Sequence, residues 1–239
     1  MIEIVGLTRK YGDRTAVDNL TLTVRDGEVL AFLGPNGAGK TTTIKTIVGL
    51  LLPTSGQVTV CGTNVISDAR EASRKIGYVP DQPYLYEKLS GREFLQFTAE
   101  MYGLGKTEAK QNIARSIAAF ELHEFVDRLA ESYSHGMKQR VIFASAIVHR
   151  PPVLVVDEPM VGLDPRSMRI VKTLLREEVA NGCSIFLSTH TLSVAEEIAD
   201  RIGIIFQGKL QFLGTIQELR NELNHAGSNL EDMFLSLTT

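Results

Sequence analysis

The chain has 239 residues, 44% hydrophobic and 22% charged, with 25 Lys and Arg against 28 Asp and Glu for a formal charge of −3. These proportions fit one globular α/β unit and argue against a nucleic-acid binder that relies on a broad basic surface. No apolar run approaches the ~18–20 residues of a membrane span and no secretory apolar region opens the chain, so a cytoplasmic protein is expected whose membrane role, if any, comes through a partner. Cys61 and Cys183 lack the spacing of a metal site or redox pair and read as reduced thiols.

Residues 2–33 alternate like strands, with turns near Tyr11-Gly12 and Asp26-Gly27. Glu28 to Leu33 reads as a short buried strand. After Gly39 the apolar residues Ile44, Ile47, Val48 and Leu51 fall at helix spacing. Between strand and helix lies Gly34-Pro35-Asn36-Gly37-Ala38-Gly39-Lys40-Thr41, a full G-x-x-x-x-G-K-[ST] loop followed by Thr42. Glycines at these positions let backbone N–H groups close around phosphate oxygens, and the helix N-terminus adds a favourable field. Lys40 is placed to bridge the β- and γ-phosphates of ATP, and the Thr41 hydroxyl to ligate Mg²⁺.

Pro53-Thr54-Ser55-Gly56 is a further turn, and Gln57 to Cys61 and Ile76 to Pro80 follow as short strands. From Gly91 to about Arg150 the pattern is helical, with apolar stripes at Phe94, Phe97 and Met101, at Ile113, Ile117 and Phe120, and at Val141, Ala144 and Val148. Alternation of strand and helix then resumes: strand 153–157, helix about 166–181, strand 184–188, helix about 192–200 and strand 202–206. Gln207-Gly208 turns into Lys209 to Leu213, and the tail after about 214 reads as short helices. The apolar run from Val153 ends in Asp157 and Glu158. At the carboxyl end of a central parallel strand, Asp157 would hold the Mg²⁺ shell and Glu158 would polarise an attacking water.

The implied fold is α/β, a P-loop NTPase (RecA-like) core with an antiparallel β subdomain and an inserted α-helical subdomain. Residues 1–84 and 151–213 are expected to form the core and β layer, 85–150 the helical subdomain, and 214–239 the short C-terminal helices.

Tyr133-Ser134-His135-Gly136-Met137-Lys138-Gln139-Arg140, between the two phosphate-handling motifs, resembles the signature peptide of ATP-binding cassette (ABC) ATPases. Motif order and spacing match over essentially the whole chain, most similarly to single-domain ATPases that serve separate export-type (ABC-2) permeases. The resemblance implies that Tyr11 stacks on adenine, and that Ser134 and Gly136 bind the γ-phosphate of ATP held by a second subunit, in a head-to-tail dimer. It also implies that Asp164, in Gly162-Leu163-Asp164-Pro165, lies on the loop crossing between subunits, and that His190 contacts the γ-phosphate and catalytic water.

Two departures stand out. His135 and Met137 replace the family's first signature glycine and its glutamine. In Val79-Pro80-Asp81-Gln82 the family's usual metal-liganding glutamine position carries Asp81, with Gln82 adjacent, and either one fits the role. The resemblance implies an ATPase subunit on the inner face of the membrane, paired with a transmembrane permease and a second ATPase subunit. Pro83-Tyr84-Leu85-Tyr86 begins either a permease-coupling surface or a segment buried under the helices. The alternatives are a soluble ABC ATPase of DNA repair or the ribosome, or a nucleotide-gated interaction module without turnover. The first usually carries a second cassette, coiled coil or basic insertion, and the second would lack Glu158 or His190.

Overall fold

Two strands that interleave buried and exposed residues open the chain: β1 (Ile2–Tyr11) and β2 (Arg14–Val24) pair antiparallel across the tight turn at Gly12. β3 (Val29–Leu33) differs in kind, being buried at every residue. That continuous burial marks a strand covered on both faces. It leads into α1 (Lys40–Ile47), whose Ile44 and Ile47 pack inward. β4 (Ser55–Val60) and β5 (Thr63–Asn64) then complete a four-stranded sheet of order β2-β1-β4-β5. β4 starts two residues before the expected Gln57, because Ser55 pairs with Thr8. The computed structural model describes residues 1–223 and 230–238.

The short α2 (Ala69–Arg74) has no apolar period and buries only Ala72, and the sequence pattern did not announce it. After β6 (Ile76–Val79) the chain becomes helical: α3 (Gly91–Met101), α4 (Lys106–Ala119) and α5 (His135–Ile147). The start of α3 is fixed by a capping box in which Ser90 and Glu93 satisfy each other's backbone N–H. In α4 and α5 the expected stripes Ile113, Ile117 and Phe120, and Val141, Ala144 and Val148, are buried. α3 departs from expectation. Its buried residues are Gly91, Leu95 and Ala99, whereas Phe97 and Met101 are 42% and 72% exposed. Phe94 of the expected stripe is half-buried against the core, so the buried face runs through Gly91, Leu95 and Ala99 and leaves Phe97 and Met101 outside.

β7 (Val153–Asp157), α6 (Pro165–Ala180), β8 (Ser184–Thr189), α7 (Leu192–Ile198), β9 (Arg201–Phe206) and β10 (Lys209–Gly214) follow in order. α8 (Ile216–Glu222) and α9 (Leu230–Thr238) form the tail as far as it is described; residues 224–229 and 239 lie outside the described residues. The main sheet has order β10-β9-β3-β8-β7-β6, parallel except for β10. One apolar cluster joins the helical segment (Phe120, Val126, Val141) to one face of this sheet (Leu154, Val156, Ile185, Leu187). On the other face, Leu30, Phe32, Val155 and Phe186 pack against Ile44 of α1 and inward residues of β1 and β2. Because β3, β6, β7 and β8 run parallel, their carboxyl ends bring the glycine loop, Asp81, Asp157-Glu158 and Ser188-Thr189-His190 to one edge. Ligands bind at that edge of open α/β sheets.

Candidate functional site: a phosphate cleft at the carboxyl edge of the sheet

The glycine loop is fixed by lack of room. A Cβ at Gly34 would lie 2.5 Å from the Ile205 carbonyl oxygen, and one at Gly39 would lie 2.6 Å from the Ala16 carbonyl oxygen. Gly39 also has φ +114°, which side-chain-bearing residues rarely adopt. As N-cap of α1 it supplies no side-chain acceptor, so the first N–H groups of the helix remain available to an anion. They face a cleft of about 460 Å³ lined by Tyr11, Pro35, Asn36, Gly37, Gly39, Lys40, Thr41, Thr42, Asp81 and Glu158, together with Arg14 and Ala16. Of the expected nucleotide-binding residues, Gly34 and Ala38 are not on the cleft wall. Arg14 and Ala16 were not foreseen; they arrive because the β1–β2 hairpin brings the start of β2 beside Gly37 and Gly39. Tyr11 is exposed, with the Arg9 guanidinium 4.7 Å from its ring centroid.

Lys40 is only 6% exposed. Its ammonium donates to the carbonyls of Gly34 (2.7 Å) and Pro35 (3.3 Å) and stands 3.5 Å from Glu158 Oε1. The other oxygen of Glu158, Oε2, accepts from the His190 backbone N–H at 3.3 Å and lies 2.9 Å from His190 Nδ1. Glu158 has φ +47°, and its N–H donates to the Ser188 carbonyl at 3.1 Å. This left-handed turn ends β7 and directs the side chain into the cleft.

Asp157, one residue earlier, is fully buried. Its Oδ1 accepts from the Ser188 hydroxyl, while its buried Oδ2 has no hydrogen-bond partner among the described residues. Burial raises its pKa above the ordinary carboxylate value; the Ser188 and Thr41 hydroxyls oppose that shift, and the charges of Asp81 and Glu158 add to it. A buried carboxylate oxygen without a partner is costly unless a cation meets it. The donors at hand are hard oxygens: Asp157 Oδ2, the Thr41 hydroxyl and Asp81. Such a set, short of a full protein cage, suits Mg²⁺ held by one or two carboxylates plus phosphates.

Of the adjacent pair Asp81 and Gln82, only Asp81 is on the cleft wall, and its Oδ1 accepts from the Gln82 N–H at 2.9 Å. The Tyr78 hydroxyl is pushed up to about 12, first by burial and then by the charges of Asp157 and Asp81, which converge on that spot.

The signature residues lie apart from the cleft, with Ser134 and His135 exposed and Gly136 and Met137 half-buried, and neither they nor Asp164 line the cleft. Ser134 caps α5, its hydroxyl accepting from the Met137 N–H at 3.3 Å. His135 packs over the loop before α6, with Nε2 3.1 Å from the Val161 carbonyl. A Cβ at Gly162, where φ is +73°, would lie 2.9 Å from His135 Cδ2. Asp164 caps α6 by accepting from the Arg166 and Ser167 N–H groups (2.9 and 3.0 Å) and from the Ser167 hydroxyl (2.7 Å). These bonds, the Ser167 hydroxyl foremost, hold its carboxyl below the usual range.

Known proteins resemble this chain in sequence and in fold. A family model described as ABC transporter matches residues 17–161. The chain is 38% identical to the bacitracin transport ATP-binding protein BcrA of Bacillus licheniformis over 88% of its own length and 68% of that protein. It is also 38% identical to the SkfA peptide export ATP-binding protein SkfE of Bacillus subtilis, over 88% of its length and 87% of the relative. An ATP-binding subunit of an ABC transporter superposes with TM-score 0.95 at 33% identity, covering all of both chains. A dimeric bacterial ABC transporter cassette superposes with TM-score 0.82 at 26% identity, covering 90% of this chain and 99% of that one. The chain belongs to the ABC transporter family, as an ATP-binding and ATP-hydrolysing subunit.

Proposed function

We propose that this subunit hydrolyses Mg·ATP at composite sites between two copies of the chain and drives a transmembrane permease, in the direction of export. The observation that carries this reading is the division of labour among Lys40, Asp157 and Glu158 at one sheet edge. Lys40 has a charged partner in Glu158 and two loop carbonyls, all within reach of where the β- and γ-phosphates would lie. Asp157 and Thr41, with Asp81 beside them, would hold Mg²⁺, which when bound supplies charge neutralisation for the phosphates. Glu158, oriented by His190, takes the proton from the attacking water, and Lys40 stabilises charge on the transferring phosphoryl group.

The signature surface supports the composite site. Ser134, exposed, and Gly136, half-buried, sit at the N-terminus of α5 outside the ATP cleft and beside Asp164. Such an N-terminus is suited to a γ-phosphate presented by a second subunit, and a dimeric cassette is among the similar structures. His135 and Met137 leave the capped helix start intact.

Among the described residues no helix is long and apolar enough to cross a membrane, and coupling therefore falls to a surface. Tyr84, Tyr86, Phe97 and Met101 are exposed together, with the Tyr86 ring 5.9 Å from those of Tyr84 and Phe97. Leu85 alone of its segment is buried. An exposed aromatic cluster of this kind fits an apolar permease element at the inner membrane face. A relative named for peptide export supports outward transport. Mg²⁺-dependent phosphate release, measured with the permease co-purified from membranes, tests the reading. Release without Mg²⁺, or recovery of the subunit free of any membrane protein, would contradict it.

A further inference from the structure

The functional assignments above leave Ser188 without a role, although it is the penultimate residue of β8, two residues before His190. It is wholly buried and stands in register opposite Asp157 across the β7–β8 ladder. Its hydroxyl donates to Asp157 Oδ1 and accepts from the Glu158 N–H at 3.3 Å, alongside the bond from that N–H to the Ser188 carbonyl. A hydroxyl has one proton and two lone pairs, so both bonds coexist. The preceding residues of β8, Ile185 to Leu187, are apolar and fully buried. A hydrocarbon side chain would therefore suit the strand at 188 if packing were all it required.

We infer that Ser188 is a positioning residue for hydrolysis: its hydroxyl occupies Asp157 Oδ1 so that Oδ2 is left to the metal, and it tethers the backbone turn that aims Glu158. The inference rests on the reading of Asp157 as metal shell and Glu158 as base. One group thereby orients two acids with different tasks. Without it, Asp157 can rotate and share both oxygens with the cation, and the Glu158 turn keeps only its carbonyl bond. Partners behind metal ligands typically govern 10–100-fold in affinity or rate.

The test uses full-length protein and a fluorescent ATP analogue, bound first in EDTA and then during Mg²⁺ titration at fixed nucleotide. For Ser188→Ala the metal-free affinity is expected to match wild type, while the Mg²⁺ midpoint rises about tenfold and turnover falls about 10–100-fold. Ser188→Thr and Ser188→Val add nearly the same volume and differ in the hydroxyl. Threonine is expected to keep a near-wild-type midpoint and valine to behave like alanine. If threonine and valine behave alike, or if metal-free and Mg²⁺-dependent binding weaken together, the hydroxyl has only a packing role and the inference fails. Should the alanine or valine chain not fold, Ser188→Cys, a weaker donor, takes its place: a raised midpoint supports the inference and a wild-type midpoint overturns it. Asp157→Asn separates the two levels. An unchanged midpoint there overturns the metal-shell reading itself. A shifted midpoint for Asp157→Asn with none for Ser188→Ala overturns only the role of Ser188.

Discussion

Lys40 and Glu158 form an ion pair across the cleft, Nζ to Oε1 at 3.5 Å, so the phosphate-binding cation and the base of the proposed reaction already face each other. An incoming γ-phosphate competes for that ammonium and frees Oε1 for water. Lys40→Ala removes charge-assisted contacts worth about 1.5–3 kcal/mol each. Affinity for Mg·ATP is expected to fall at least tenfold, since about 1.4 kcal/mol is a factor of ten. Titration calorimetry checks this, and unchanged affinity would mean that the loop does not hold the phosphates.

Asp81 and Gln82 separate cleanly by position, because only Asp81 reaches the cleft wall. Asp81→Ala is expected to reduce Mg²⁺-dependent turnover more than Gln82→Ala. The comparison is made at subsaturating Mg²⁺, where loss of a metal-shell oxygen shows most. The reverse order would place the metal contact one residue later.

The aromatic surface makes a prediction about assembly. Met101→Asp changes a position 72% exposed, where substitutions usually move stability by no more than about 0.5 kcal/mol, whereas Phe97→Asp also gives up the ring contact with Tyr86, worth about 0.5–1.5 kcal/mol. Both are expected to preserve ATP binding while weakening co-purification with the permease, and Met101→Asp to preserve the melting temperature as well. Undiminished co-purification of the double variant would move the docking site elsewhere.

Tyr102 and His149 stack with ring centroids 3.5 Å apart where α3 ends against β6. Burial pushes the His149 imidazole down to about 4, with the Ile76 carbonyl opposing. Its folded pKa lies below the unfolded one of about 6.5, so the unfolded chain binds the extra proton and stability falls as pH drops from about 6.5 toward 4. Between pH 7 and 5 this group accounts for about 2 kcal/mol of the loss. His149→Phe keeps an aromatic ring against Tyr102 and is expected to flatten that part of the acid limb in urea unfolding. An unaltered pH dependence would show that His149 is protonated in the fold at no such cost.

The glycine loop and the run ending in Asp157-Glu158 were legible because both are local: fixed spacing on a strand-to-helix turn and an uninterrupted apolar strand. The parallel core followed for the same reason. What the sequence left open depends on contacts between distant segments. Spacing along α3 revealed an apolar stripe, but packing against the rest of the helical segment put Leu95 and Ala99 inside and left Phe97 and Met101 outside. Arg14 reached the cleft through hairpin geometry. Which of Asp81 and Gln82 lines the cleft depends on how the chain leaves β6, and adjacency in sequence does not reveal it. The bond from Ser188 to Asp157 spans 31 residues and exists only through β7–β8 register.

Glu158→Gln gives the most direct test of the central claim, an ATPase that works through two composite sites. The amide keeps the shape of the base but cannot take a proton, so turnover is expected to fall by about 10²–10⁴-fold while Mg·ATP stays bound. Each ATP is then pinned between the glycine loop of one copy and Ser134-Gly136 of the other. Light scattering after gel filtration is expected to give a dimer in Mg·ATP and a monomer in ADP, and Ser134→Arg added to Glu158→Gln is expected to return the ATP-bound protein to monomer. A Glu158→Gln chain that stays monomeric in saturating Mg·ATP, or a double variant that still dimerises, would contradict the symmetric composite site.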